Sequence, residues 1–249
     1  IKFIGEKDSP IKIINTNKST GIGFAIINAK NKSLIENTEF LNMNTIDNGR
    51  FIFTGGVTVY QSDIDFKNVV FKNSLSEDSL NIVRSNFKIE KISLENSYSD
   101  AIDIDFSNGI MNNIEIINSN NDGLDISNSE IKIKNIFIEN SKDKAISIGE
   151  ESDIEINSLN INGSFVAIAN KDGSQARISN VDLRNSEFDF AGFNKKNEYS
   201  GSITNIEKLN TSNNQLNYLL ALPSTLKIDN IKYSSNSKNN FIFNLIYKD

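Results

Sequence analysis

The chain of 249 residues contains no cysteine, no histidine and no tryptophan, and only two prolines. Without Cys it has no disulfide, zinc ribbon or thiol nucleophile. Without His it lacks the commonest general base and the commonest transition-metal ligand. The missing Trp removes the strongest aromatic platform for sugar stacking. No apolar run approaches the ~18 residues of a membrane span. No stretch beyond a turn or two carries apolar residues at i, i+3, i+4 and i+7, so helices are not expected. Net charge is −6, with Lys and Asp/Glu interleaved rather than blocked. No basic stripe offers itself to nucleic acid, and no such partner is expected. The hydrophobic fraction of 38% is thin for a globule. It suits a solenoid, in which one side of each strand faces a narrow core.

What is present is a repeat. An alternating apolar strand followed by Asn-Ser occurs as Val69–Ser74 (VVFKNS), Ile92–Ser97 (ISLENS), Ile114–Ser119 (IEIINS) and Ile136–Ser141 (IFIENS). Weaker copies end at Ser164, Ser186 and Ser212, so the serines at 74, 97, 119, 141, 164, 186 and 212 are spaced by 23, 22, 22, 23, 22 and 26 residues. Each unit holds further period-2 segments, such as Leu124-Asp125-Ile126 and Ile131-Lys132-Ile133, joined by Asn, Ser, Gly and Asp. Three short strands per turn cannot bury themselves and must stack on the next copy. The expected fold is therefore all-β: a single-stranded right-handed parallel β-helix of about 22 residues per coil, with three short strands in each. Stacking predicts an Asn ladder inside the turn, and a core stack of Ile102, Leu124, Ile146 and Ile168.

One domain covers residues 1–249, with regular coils over about 57–190. Before them, Ile11–Ile14, Gly23–Ile27 and Phe51–Phe53 read as strands, and 34–38 as a degenerate Asn turn. After them, an insertion loop is expected at about 194–201. A C-terminal covering segment is expected at about 240–249, its apolar Asn240–Tyr247 a last strand over the open core. The chain opens at Ile1 rather than Met, which suggests a trimmed fragment with further coils or domains before it.

The repeat resembles the parallel β-helix proteins of the pectin-lyase-like superfamily. Gly5–Ile11 (GEKDSPI), Ser76–Ile82 (SEDSLNI), Ser99–Phe106 (SDAIDIDF), Asn121–Asp125 (NDGLD) and Asp143–Glu150 (DKAISIGE) resemble the β-helix region associated with bacterial spore-coat-H-type envelope proteins. The resemblance implies an exported, periplasmic or surface-attached β-helix and no established activity. Ser99-Asp100-Ala101, Asn121-Asp122-Gly123, 144–149 and Arg177-Ile178-Ser179 also fall where polygalacturonases carry their catalytic motifs. Here one Asp of the pair is Asn121, the His is missing and the final Lys is Ser179, so that chemistry is not expected.

The candidate site is acidic. Asp100 and Asp122, like Asp103 and Asp125, are 22 residues apart, and Asp143 follows one coil on with a one-residue shift. In Ile102–Phe106 the Ile side chains point inward, so Asp103 and Asp105 share the outer face, and stacking sets Asp103 beside Asp125 at about 4.8 Å. Carboxylates that close either share a proton or hold a cation. Asp103, Asp105, Asp125 and Lys144 are the catalytic candidates. Asp100, Asp122, Lys171, Lys196 and Tyr199 are the substrate-binding candidates, and Asp103 with Asp125 is a candidate Ca²⁺ site. Against this, Asp at a coil corner is an ordinary turn residue, and Lys171-Asp172 and Glu150-Glu151 read as solvated turn charges. Phe188, Phe190 and Phe193 read as a core stack. The expected function is polysaccharide binding or scaffolding through the acidic outer face. The alternatives are a lyase, glycosidase or epimerase using the clustered Asp residues, and a structural stalk or adhesin. A groove walled by the 194–201 loop would favour binding or catalysis; a flat open face would favour the stalk.

Overall fold

A computed structural model describes residues 1–16, 22–47, 49–212 and 215–247. The chain is a parallel β-solenoid. Eighteen strands form one continuous sheet wound around a single core, and residues 22 or 23 apart stand side by side. Asn86 pairs with Asn108, Asn108 with Glu130, Glu130 with Asp153 and Asp153 with Gln175. Each turn has three faces. In one turn the first face comprises residues 86–89, the second 91–95 and the third Asp100–Asp105. On every face apolar and polar residues alternate, so one set points to the core and the other away. Ile102, Leu124, Ile146, Ile168 and Phe190 stack in register and are buried. Burying each such side chain contributes about 1.5–3 kcal/mol.

The corners follow a simple rule: a left-handed residue, then a buried serine. Between the second and third faces the left-handed residue is Asn. Asn73, Asn96, Asn118 and Asn140 have φ of 55°, 59°, 60° and 58°, a region that Asn tolerates because its short amide bonds locally. Where Asn is missing, Gly163 takes the place with φ 91°. The amides form a ladder, Asn96 donating to Asn73 (3.0 Å), Asn118 to Asn96 (3.0 Å) and Asn140 to Asn118 (3.1 Å). The expected ladder thus exists, but these rungs are exposed on the outside of the turn. The inner place belongs to Ser97, Ser119 and Ser141, the last two with hydroxyls 2.7 Å apart.

A second serine ladder closes the corner after the third face. Ser62, Ser85, Ser107, Ser129, Ser152, Ser174, Ser202 and Ser224 are all buried. The Ser85 N–H donates to the Ser107 hydroxyl (3.1 Å), the Ser107 N–H to Ser129 (3.0 Å) and the Ser129 N–H to Ser152 (3.2 Å). The Ser107 hydroxyl in turn donates to the Asp105 carbonyl (2.7 Å). The residue before the serine is again left-handed, but its identity varies: Gln61, Arg84, Phe106, Asn128 and Glu151.

Three terminal features differ from expectation. Phe51–Phe53 contributes only Ile52–Phe53, which forms an antiparallel pair with Ile46–Asp47 outside the main sheet. At the other end Ile231–Tyr233 turns back antiparallel on Thr225–Ile228 and ends the parallel stack. Asn240–Tyr247 is not a strand and does not lid the core. It lies in helix α1 (Asn239–Tyr247), and Ile242 packs with Val166, Ala169, Ala191, Phe193, Leu219 and Ala221 on the outside of the third face. An eight-residue apolar run does not declare its period, and docking of Ile242, Ile246 and Tyr247 on one side settles it as helix. Of the three phenylalanines, Phe190 joins the core, whereas Phe188 and Phe193 belong to the cluster beneath α1. Residues 248 and 249 of the expected covering segment lie outside the described residues.

Candidate functional site

The third face gathers the acidic residues into neighbouring rows along the solenoid axis. One row runs Asp78, Asp100, Asp122, Lys144: Asp78 pairs with Asp100, the Asp122 N–H donates to the Asp100 carboxylate (2.8 Å) and the Lys144 N–H to the Asp122 carboxylate (3.0 Å). Lys144, not Asp143, continues the row; Asp143 follows Asn121, to whose carbonyl its N–H donates. The second row runs Thr58, Asn81, Asp103, Asp125, Ser147, Ala169, Ala191. Asp103 and Asp125 are therefore direct neighbours on one outer face. Asp105 stands in a third row, between Val83 and Ser127.

Most of these groups are poorly hydrated. Asp78, Asp122 and Lys144 are each 3% exposed and Lys171 is 5%, so Lys171 and its neighbour Asp172 are not solvated turn charges. The Lys144 ammonium lies 3.1 Å from Asp122 and also pairs with Asp143. Burial would lower its pKa, but Asp122 and Asp143 outweigh burial and keep it protonated. Lys144 is thus a fixed cation rather than a free base. Lys171 reaches back across Gly149, where a β-carbon would stand 3.2 Å from its Cε. It donates to the Ser147 hydroxyl and lies 3.8 Å from Asp125.

The carboxyls separate into two kinds. Burial, reinforced by Asp78, Asp105 and Asp125, pushes Asp103 up to about 9, and it accepts a hydrogen bond from the Asn81 amide (2.7 Å). Burial raises Asp78 and Asp122 to about 7 and Asp105 to about 6. Asp125 goes the other way: burial works to raise it, but Lys171 and Ser147 together hold it below the usual carboxylate range. A neutral acid and an ionised carboxylate therefore stand side by side at neutral pH.

Two structures wall this face. The loop after Phe193 is pinned where the Asp172 carboxylate accepts the N–H groups of Lys195 (2.7 Å) and Lys196 (2.8 Å). Lys196 pairs with Glu150, and Tyr199 lies in their electrostatic neighbourhood. Asn194 and Asn239 exchange hydrogen bonds of 2.7 Å each, which ties the loop to the start of α1. At the far end of α1 the Tyr247 ring sits 5.2 Å from Lys144 Nζ and 4.6 Å from Lys195 Nζ. The loop and the end of α1 thus both flank this face.

The expected metal pair is not the set that converges. Carboxylate oxygens of Asp100, Asp122 and Asp125 lie within 4.8 Å of one another, and Asp103 is not among them. Lys144 and Lys171 already neutralise Asp122 and Asp125, so a calcium ion would have to displace two ammonium groups. Arg177 is remote from the third face: it pairs with Asp153 and Glu155 on the first face, beside an open groove of about 520 Å³. Asp78, Phe106 and Tyr247 join the site without having been expected there. Asp78 was legible from the 22-residue step to Asp100; Tyr247 was not, because its position depends on how α1 docks. Among the described residues no helix is long and apolar enough to cross a membrane. No family model matches this chain, and no curated protein or solved structure is significantly similar to it, so its assignment ends at the parallel β-solenoid.

Proposed function

We propose that the third face binds a polysaccharide laid along the solenoid axis. The observation that carries this reading is the set of four half-buried aspartates, Asp100, Asp103, Asp105 and Asp125, on two successive turns of one face, backed by the buried Asp78 and Asp122. Turns rise by about 4.8 Å, so an extended polymer meets similar groups at regular intervals. Protonated carboxyls donate and accept, ionised Asp125 accepts, and Asn81 and Ser147 add amide and hydroxyl partners; sugar hydroxyls need this mixture. Phe106, next to Asp105, is 48% exposed with the Arg84 guanidinium 5.4 Å from its ring centre, and offers a stacking surface at the edge of this face. An exported or cell-surface location and kinship with pectin-lyase-like β-helices belong to the same reading, since they rest on the same Asn-Ser solenoid.

Calorimetric titration with a panel of soluble neutral and uronic-acid polysaccharides tests it. The double change Asp103→Asn with Asp125→Asn, and Phe106→Ala separately, should each weaken binding, whereas Arg177→Ala on the first face should not. Absence of binding across the panel, or equal loss from Arg177→Ala, would end the reading.

A second reading has one observation in its favour. Neutral Asp103 beside ionised Asp125 is the acid and base pairing that glycosyl cleavage uses. Product analysis after incubation with the same panel decides it. Turnover abolished by Asp103→Asn with binding retained would make the protein an enzyme; no product from any bound polymer leaves binding alone.

A further inference from the structure

We propose that helix α1 is a displaceable latch on this face, and that a bound glycan chain lifts it from Lys144 and Lys195. The inference rests on the binding reading above and adds how access is controlled.

The helix is nine residues long, shorter than a helix that holds itself together in water. Its position therefore depends on what it touches. Only Ile242 is buried, and the surface beneath is built largely from small or flat groups, Val166, Ala169, Ala191 and Phe193. Phe241 and Leu245 point away, 56% and 37% exposed. Its first residue is tethered to the loop, the Asn194 N–H donating to the Asn239 amide oxygen and the Asn239 amide to the Asn194 carbonyl, which places a hinge at that end.

The other end lies over the chemistry. The Tyr247 ring covers the ammonium groups of Lys144 and Lys195, and the negative pole of the helix faces the same cluster. Both attractions favour closure. Opposing them, the Tyr247 hydroxyl is buried with no hydrogen-bond partner. Leaving such a group dry costs an amount comparable to one ring–ammonium attraction. The orphaned hydroxyl thus offsets part of what holds the helix down and brings the element nearer to local opening. Beneath it lie Lys144, Lys171 and Asp122, too buried for a ligand to touch while the helix stays down.

Acylation footprinting of the full chain reports the latch without any glycan. Lys144 should label slowly in the wild type and about tenfold faster or more in Ile242→Asp, which removes the one buried anchor. It should label more slowly than wild type in Tyr247→Phe, which deletes the orphaned hydroxyl but keeps the ring. Should Ile242→Asp fail to fold, the Tyr247→Phe comparison still decides. Equal protection of Lys144 in all folded variants overturns the latch.

Hydrogen exchange then tests coupling, with polygalacturonate and a neutral β-glucan as probes. Whichever polymer binds should speed exchange in residues 239–247 and bind Ile242→Asp more tightly than wild type. Binding with no change in either overturns the proposal. If neither polymer binds the wild type, the binding reading fails, while the labelling rates still judge the latch by themselves.

Discussion

At the scale of single residues, Asp103 stores a proton that the unfolded chain would release. Its folded pKa of about 9 lies above the ordinary 3.8, as do those of Asp78, Asp122 and Asp105 at about 7, 7 and 6. The folded state then binds more protons, so the contribution of these groups is full below pH ~4 and falls as pH rises through the folded values. Between pH 5 and 9 the melting temperature should therefore decrease with rising pH. Asparagine imitates the neutral form, so Asp103→Asn should raise the melting temperature at pH 9, do little at pH 5 and flatten the slope. A wild-type melting temperature that rises across this window would contradict the placement of the buried acids. Lys171 makes the opposite case. Lys171→Met would leave Asp125 without its main counter-charge and should cost about 3 kcal/mol in denaturant unfolding. Adding Asp125→Asn should recover most of that loss, because the charge that needed a partner is gone.

At the scale of strands and corners, the left-handed residue and its following serine set the turn. Ser107→Ala removes the acceptor for the buried Ser85 N–H and should cost about 1–3 kcal/mol. Phe106 holds φ 49°, a region that costs a residue with a β-carbon about 1–2 kcal/mol. Phe106→Asn should therefore stabilise the chain in urea titrations; if it destabilises instead, the ring does more for the corner than its contact with Arg84 suggests. The two corners also explain what could be read beforehand. Asn-Ser after the second face announces itself because Asn recurs, and it carries the period. The serines at 85, 107, 129, 152 and 174 keep steps of 22, 22, 23 and 22, yet no motif marks them because the residue before each differs. Backbone conformation repeats there while chemistry does not. The site divides in the same way. Asp103 beside Asp125 follows from register, whereas Lys171 turning back over Gly149, and Tyr247 arriving on α1, depend on side-chain reach and docking that no period encodes.

At the scale of the whole molecule, the solenoid is a stack in which each turn meets only its neighbours. Leu124 lies in mid-stack and is fully buried, so Leu124→Ala should cost about 2–5 kcal/mol. Hydrogen exchange should be slowest over about residues 55–193, where turns are covered on both sides, and faster toward either end. Uniform protection along the chain would instead mean one all-or-none unit. The next serine of the series, Ser202, follows Ser174 by 28 residues where 22 is the rule, and here the Ser174 N–H donates to the Lys171 carbonyl (3.2 Å) and the Ser202 hydroxyl to the Asn170 carbonyl (2.7 Å). Ser202 and Ser224 nonetheless keep the usual bond, 3.1 Å. The surplus residues emerge at one corner and leave the stacking beneath them undisturbed. That corner can carry a longer display than its neighbours, provided the two backbone N–H groups that satisfy the buried Asp172 carboxylate stay where they are.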